Sequence, residues 1–559
     1  MKQLKRLWTY TQAYWKMLAA SLTSAALFGL IAAGPTYVLK RVVDDVFIFK
    51  HHHLIIPMAL GLVAIFAFKG LFSFLTSYCM HWVGHRVVND IRSDLFVHVM
   101  RYPLSYFQET STGQLMSHFL NDVQMMQVAA SNAIKNGVRS LFETIFLVTF
   151  AFVQNWQLAL LMLVVGPAMA IIIKKMGTAI KRSSHKIQQE VGSLSDQLQE
   201  TFSGIREVKA FNAEHYHIQR LNDQLSRFFK ATMRYVKAEA LLPSLIEVVT
   251  MGGAALAFYV AAHQALSGAI TPGQLTSFIA AALLAYAPMK RLINVYGEIQ
   301  YALAAADRVF SLMDRVVPAQ REAGYDVQFK HDIVLDGVSF HYDKERPVLG
   351  NIHLKLRKGE RVGIVGPSGS GKSTLVDLLL GFITPDSGHI LIDGMRLTPA
   401  SAAAWRRHVG YVGQRPFLFS DTVKNNISYG RVSLDQARIQ AALVAADAAT
   451  FVQALPLQEE TVLGENGNGL SGGQRQRLTI ARALAGEPQL LIFDEATASL
   501  DAASEEEIKK TLQNLPLHVT VIIVTHRASL LHAVDRILLV NNHTVQPVNR
   551  DHALRAVAV

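Results

Sequence analysis

Cysteine is almost absent from this chain, with Cys79 the single one among 559 residues. An intramolecular disulfide and a cysteine-based metal cluster are thereby excluded. Acidic residues are also in short supply, 43 Asp and Glu against 54 Lys and Arg, for a formal net charge of +11. Such a surplus suits nucleic acid or the cytoplasmic face of a membrane protein. The first apolar run is too long for a signal peptide and reads as a retained membrane helix. Two long stretches, about 80–133 and 177–242, have few helix breakers.

Apolar residues fill the space that charge leaves. Half the residues are hydrophobic and the mean hydropathy is +0.23, unusual for a soluble protein this basic. The chain is too long for one domain, and the apolar runs are confined to 17–300. We therefore expect an α-helical membrane domain over 1–318 and an α/β domain over 319–559. Six segments approach the roughly 20 apolar residues a bilayer requires: 17–39, 54–79, 134–153, 156–176, 243–264 and 274–295. Gln154 and Asn155 form a tight turn between the third and fourth, and Ser267–Gly273 joins the fifth and sixth. Lys2, Lys5, Arg6, Arg86, Arg92 and Arg101, with Lys174 to Arg220, mark the opposite side. By the positive-inside rule both termini and both long connections are cytoplasmic. The connections read as helices leaving the membrane, each broken near its middle, at 102–113 and 201–208. A short helix at each break is placed to dock on the second domain.

Charge inside a span is costly and faces a cavity or a partner. Lys69, Arg139 and Lys290 lie in the second, third and sixth spans, all on the cytoplasmic side of the midplane. Three cations at one depth suit an anionic head group entering from the inner leaflet, or they snorkel to the interface. Glu143, at i,i+4 from Arg139, is spaced to neutralise it, and Glu247 in the fifth span has no assigned partner. His51, His52 and His53 fall on the outer turn and read as a polar loop rather than a metal site.

The second domain carries the stretch on which function turns. Gly366, Pro367, Ser368, Gly369, Ser370, Gly371, Lys372, Ser373 and Thr374 follow the β-rich run 361–365 and precede a helical run. Glycines between a strand and a helix start let backbone N–H groups converge on a phosphate, with the helix dipole adding positive potential. Lys372 is placed to reach the outer phosphates of a nucleoside triphosphate and the Ser373 hydroxyl to ligate Mg²⁺. The apolar run 489–493 ends in Asp494 and Glu495, which offer a second Mg²⁺ ligand and a group that polarises water. Strand 520–525 ends in His526, and 409–412 runs into Gln414, a further candidate for metal or water. Tyr342 upstream is placed to stack on a base. Ser471, Gly472, Gly473 and Gln474 open a second helix able to bind an anion. Two phosphate-binding helix starts in one chain point to a dimer in which each nucleotide lies between two subunits.

These motifs resemble those of bacterial ABC exporter half-transporters of the type IV fold. Leu470–Gln474 is similar to the family's signature motif, 366–373 to its Walker A loop, 490–494 to Walker B and Ser499–Asp501 to the D-loop. Gln414, His526 and Tyr342 match the Q-loop, the switch histidine and the adenine-stacking position; Thr461–Gly467 resembles the segment that meets the coupling helices. The resemblance implies ATP and Mg²⁺ as cofactors, Glu495 as catalytic base with Gln414, Lys372 and His526 assisting, and a homodimer in the bacterial inner membrane. Within the family, 77–82, 105–113 and 155–158 are similar to the lipid A flippases, which place basic residues for lipid phosphates near Lys69, Arg139 and Lys290. Lys69 stands where those proteins have arginine, and the tail after Val545 is short. The resemblance thus implies export of an amphipathic, anionic lipid. A multidrug or lipid-linked oligosaccharide exporter shares the architecture. A non-transporting ABC ATPase acting on nucleic acid would not carry six apolar spans.

Overall fold

The computed structural model describes residues 2–315, 327–343, 346–431, 434–496, 502–513 and 515–558. They form two compact units, one of Met1–Phe96 with Met116–Asp314, the other of Val97–Leu115 with Arg315–Val559. The boundary expected at 318/319 lies outside the described residues. The tip of the first connection belongs to the second unit, although the sequence reads it as part of the membrane domain.

The first unit is helical. Its long helices are Ile55–Val99, Trp156–Ser203, Glu214–Leu266 and Pro272–Met313, of 45, 48, 53 and 42 residues. At 1.5 Å per residue each far exceeds the ~30 Å hydrocarbon core, so each continues beyond it. Four stretches are long and apolar enough to cross a membrane: Trp15–Ile48, His52–Val99, Thr112–Gln154 and Glu214–Leu266. The other two expected spans fall on Trp156–Ser203 and Pro272–Met313. The Gln154–Asn155 turn holds because the Asn155 side chain accepts from the N–H groups of Gln157 and Leu158, capping the next helix. Short helices form at both breaks, Leu104–Glu109 and Ile205–Ala210. The first connection is less regular than its sequence suggests, with π-helical turns at His118–Asp122 and Ala129–Ala133. Asp122 sits in the first of these, bonded to His118 and to Arg308 of Pro272–Met313.

Two close approaches fix the arrangement of the spans. The buried Asp44 carboxylate accepts from the Thr271 hydroxyl and the Gly273 N–H, each at 2.8 Å, tying Val42–Ile48 to the start of Pro272–Met313. Helix Trp15–Ala32 crosses Ile134–Gln154 at Gly29, where a Cβ would lie 2.7 Å from the Phe142 carbonyl carbon and 2.9 Å from Glu143 N. Without a hydrophobic drive between helices in lipid, such backbone-to-backbone packing does the holding.

The second unit is α/β. An antiparallel sheet runs in the order Arg346–Arg357, Asp332–Asp343, Ser387–Ile392, Met395–Arg396. The larger sheet runs Thr544–Val548, Arg536–Asn541, Arg361–Val365, Thr520–Val524, Leu490–Asp494, Val409–Val412. All neighbours in it are parallel except the first pair. Thr520–Val524 is buried throughout, as expected for strands covered on both faces. The phosphate-loop strand lies inside this sheet, so the loop leaves from the carboxyl ends of the strands, where α/β sheets bind ligands.

Replacing Gly29 by Val drives a branched side chain into the Phe142 backbone. Overpacking of this kind costs about 2 kcal/mol, so the detergent-solubilised variant should melt several degrees below the parent. An unchanged melting temperature would show that the two helices separate freely there.

Candidate functional site

The nucleotide site is built on five strand ends and one helix start. Gly366 has φ 154° and abuts the Val540 carbonyl, so no larger residue fits. Gly371, at φ 104°, caps helix Lys372–Leu379 in the left-handed region, where a side chain would be strained. Lys372 is buried and folded back, its Nζ donating at 2.9 Å to the carbonyls of Gly366 and Pro367. Burial lowers its pKa, with Glu495 and Asp494 opposing the shift. Ser370 Oγ is buried with no hydrogen-bond partner, an orphan such as a phosphate oxygen satisfies. Ser373 is exposed at the mouth of the loop. Thr374 donates to the Tyr342 hydroxyl at 3.3 Å, and Phe340 meets the Tyr342 ring edge-on at 4.9 Å. These contacts hold the exposed tyrosine beside the helix that follows the loop.

Glu495 follows Leu490–Asp494 and adopts φ 49°, a conformation non-glycine residues occupy at a cost and keep at functional sites. Its carboxylate is held on both sides, Gln414 Nε2 donating at 2.9 Å and His526 Nε2 lying at 3.3 Å. The structure thus joins three residues from three strand ends that the sequence predicted separately. Asp494 has its pKa raised by burial and by Glu495. The adjacent carboxylates of Asp494 and Glu495, close enough for the second to raise the first, are hard oxygen donors of the kind a divalent cation takes.

Two further residues belong here that the sequence reading did not single out. Tyr411 donates to Asp494 at 3.4 Å. Asp377, within Lys372–Leu379, is pushed up to about 6 by burial and by Asp494. Its place one helical turn past Ser373, on the same face, was the available signal. Ser471 and Gln474 form a capping box, Gln474 N donating to Ser471 Oγ at 3.2 Å and Ser471 N to Gln474 Oε1 at 2.9 Å. Gly472 and Gly473 complete that helix start. Among the described residues no hydrogen bond or ion pair joins 471–474 to 366–374. Ser499–Asp501 lies outside the described residues.

A second cluster lies within the spans. Lys69 Nζ and the Arg139 guanidinium both stand over the Phe28 ring, at 5.2 and 3.8 Å. Arg139 donates to Ser73 Oγ at 2.9 Å, and its Nε is buried without a partner. Glu143 does not take Arg139, as its spacing suggested; Arg291 lies 2.5 Å from it and Lys69 3.8 Å. The ring of Phe28 and the hydroxyl of Ser73 hold Arg139 instead. Arg291, which also donates to Ser140 at 3.0 Å, is a cation that Pro272–Met313 brings against Glu143, and the sequence reading named its neighbour Lys290 instead. Glu247 is exposed. His51–His53 are exposed too, and among the described residues no group of three His, Cys, Asp or Glu is arranged for a metal.

Ionising Asp377 against burial penalises the folded state above pH 6, whereas below pH 4 it is protonated folded and unfolded alike. Asp377→Asn should therefore stabilise the nucleotide-free, chelator-treated protein at pH 7.5 by about 1 kcal/mol, solvent screening part of the shift. The gain in melting temperature should vanish at pH 4. An equal gain at both pH values would assign it to packing. Glu495→Gln should bind ATP as before and hydrolyse it about 10²–10³-fold more slowly; undiminished turnover would show that another group activates the water.

Residues 18–289 match the family model described as the ABC transporter transmembrane region and 349–498 the one described as ABC transporter. An ATP-dependent lipid A-core flippase of Desulfotalea psychrophila is 38% identical, over 96% of this chain and 94% of the relative. Proteins of the same description from Syntrophus aciditrophicus and Nitrosococcus oceani are 36% and 35% identical, each over 96% of this chain and 90% of the relative. With relatives this similar along nearly the whole length, and a phosphate loop, a strand-end carboxylate pair and apolar helices in one polypeptide, the chain is a membrane protein and ATPase belonging to the ABC transporter family.

Proposed function

We propose that this chain uses ATP to flip an amphipathic anionic lipid, of the lipid A-core type, across the bacterial inner membrane. The observation that carries the substrate class is the cluster of Lys69, Arg139 and Arg291 around Phe28, cations held inside membrane spans with a donor left unpaired. The relatives named as lipid A-core flippases support the same class. Cations at such depth cost too much to be retained without a partner, and a lipid phosphate supplies one.

The working unit is a homodimer. Gly366–Thr374 of one copy and Ser471–Gln474 of the other enclose each ATP, which accounts for two phosphate-binding helix starts that do not bond within one chain. Tyr342 stacks on the adenine. Lys372 exchanges the carbonyls of Gly366 and Pro367 for the outer phosphates, a stronger acceptor. Ser373, Asp494 and, once released from Glu495, Gln414 would hold Mg²⁺, which when bound neutralises phosphate charge. Glu495 orients and deprotonates the attacking water, and His526 fixes its carboxylate. Six spans with both termini and both connections cytoplasmic let the short helices Leu104–Glu109 and Ile205–Ala210 carry cassette closure to the membrane, turning the cavity outward.

In nanodiscs, lipid A should stimulate ATP hydrolysis by the purified dimer. Replacing Lys69, Arg139 and Arg291 together by Gln should abolish that stimulation while basal hydrolysis persists. Undiminished stimulation in the triple variant would remove the cluster from the transport path.

A further inference from the structure

Glu143 is an anion placed inside a site for anions. It is buried, with only 7% of its surface exposed, and it engages two of the three cations, Arg291 at 2.5 Å and Lys69 at 3.8 Å. Arg139 is kept apart on Phe28 and Ser73 with Nε unsatisfied. Nor can Glu143 easily withdraw, since its backbone sits against Gly29 at the helix crossing. Any head group entering the cluster must therefore compete with a carboxylate that is already in place.

We propose that Glu143 sets the selectivity of this site by holding Lys69 and Arg291 until a phosphate monoester dianion displaces it, so that monoanionic phosphodiester lipids are refused. The proposal rests on the head-group reading above. A phosphodiester exchanges one negative charge for another and leaves a buried carboxylate without its cations, which is costly. A dianion brings a second charge, and Arg139 beside it holds a buried donor with no partner. The surrounding bilayer is rich in lipids whose phosphate is a diester, so discrimination comes from an element that penalises the wrong ligand. Free inorganic phosphate shares the monoester's charge, but the cluster lies among membrane helices and the ligand we assign is a lipid.

The test compares phosphatidic acid with phosphatidylglycerol of the same acyl chains, titrated at pH 8 into phosphatidylcholine nanodiscs holding the full-length protein. Bound lipid is counted by native mass spectrometry alongside ATPase stimulation. Wild type should prefer phosphatidic acid about tenfold, a difference of about 1.4 kcal/mol. In Glu143→Gln phosphatidylglycerol should tighten until the two lie within about twofold. Should that variant not fold, Glu143→Asp, which draws the carboxylate back by one methylene, should move the ratio the same way by less. Arg139→Gln should weaken both lipids. A tenfold preference that survives in the Glu143 variants, while Arg139→Gln weakens both lipids, overturns the inference and leaves the head-group site standing. If Arg139→Gln changes neither lipid, the head-group reading itself fails. Displacement of phosphatidic acid by millimolar inorganic phosphate would overturn the assignment to lipid.

Discussion

Charge taken out of water has to find opposite charge or a hydrogen-bond donor nearby, and both sites in this chain are solutions to that one constraint. In the membrane unit, Lys69, Arg139 and Arg291 survive among apolar helices because Phe28, Ser73, Ser140 and Glu143 surround them. In the cassette, buried Lys372 survives because two carbonyls of its own loop accept from it. Neither arrangement is possible without glycine at the point of closest approach. Gly29 lets the helix bearing Phe28 touch the helix bearing Arg139 and Glu143. Gly366 lets the loop pass the Val540 carbonyl on its way to Lys372.

Local pattern made the cassette site legible in the sequence. A strand, a glycine-rich turn and a helix start fix the loop, and apolar runs that end in a polar residue fix Asp494, Glu495 and His526, because a buried parallel strand delivers its last side chain to a known edge. What the sequence could not say is how those ends share a proton or a charge. That Glu495 is held by Gln414 on one side and His526 on the other depends on strand order, which places Thr520–Val524 next to Leu490–Asp494 and Val409–Val412 beyond it. Tyr411 and Asp377 escaped for the same reason: each is an ordinary residue of its element until the sheet brings Asp494 alongside.

In the membrane unit the helices were legible and their rotations were not. Hydropathy finds a span, but it does not say which side chains face a neighbour. Lys290 and Arg291 are adjacent, and only the azimuth of Pro272–Met313 decides that Arg291 is the one to reach Glu143. The i,i+4 spacing of Arg139 and Glu143 reads as a pair on an isolated helix. Tertiary partners, Phe28 on one side and Arg291 on the other, draw the two apart. The π-helical turns at His118–Asp122 and Ala129–Ala133 leave no mark in hydropathy either; the first holds Asp122 where it meets Arg308.

The two sites share a further logic. In each, on the function proposed above, a cation assigned to phosphate is occupied beforehand by a weaker acceptor from the protein: the loop carbonyls for Lys372, the Glu143 carboxylate for Lys69 and Arg291. A pre-occupied cation is cheaper to bury than a bare one, because its solvation is replaced in advance. It is also more discriminating, since a ligand gains only the difference between its own charge and that of the group it displaces. A neutral carbonyl sets a low threshold, suited to a nucleotide that the loop and a helix N-terminus also recognise. A carboxylate sets a higher one, suited to the proposed anionic head group in a membrane where competing anions abound.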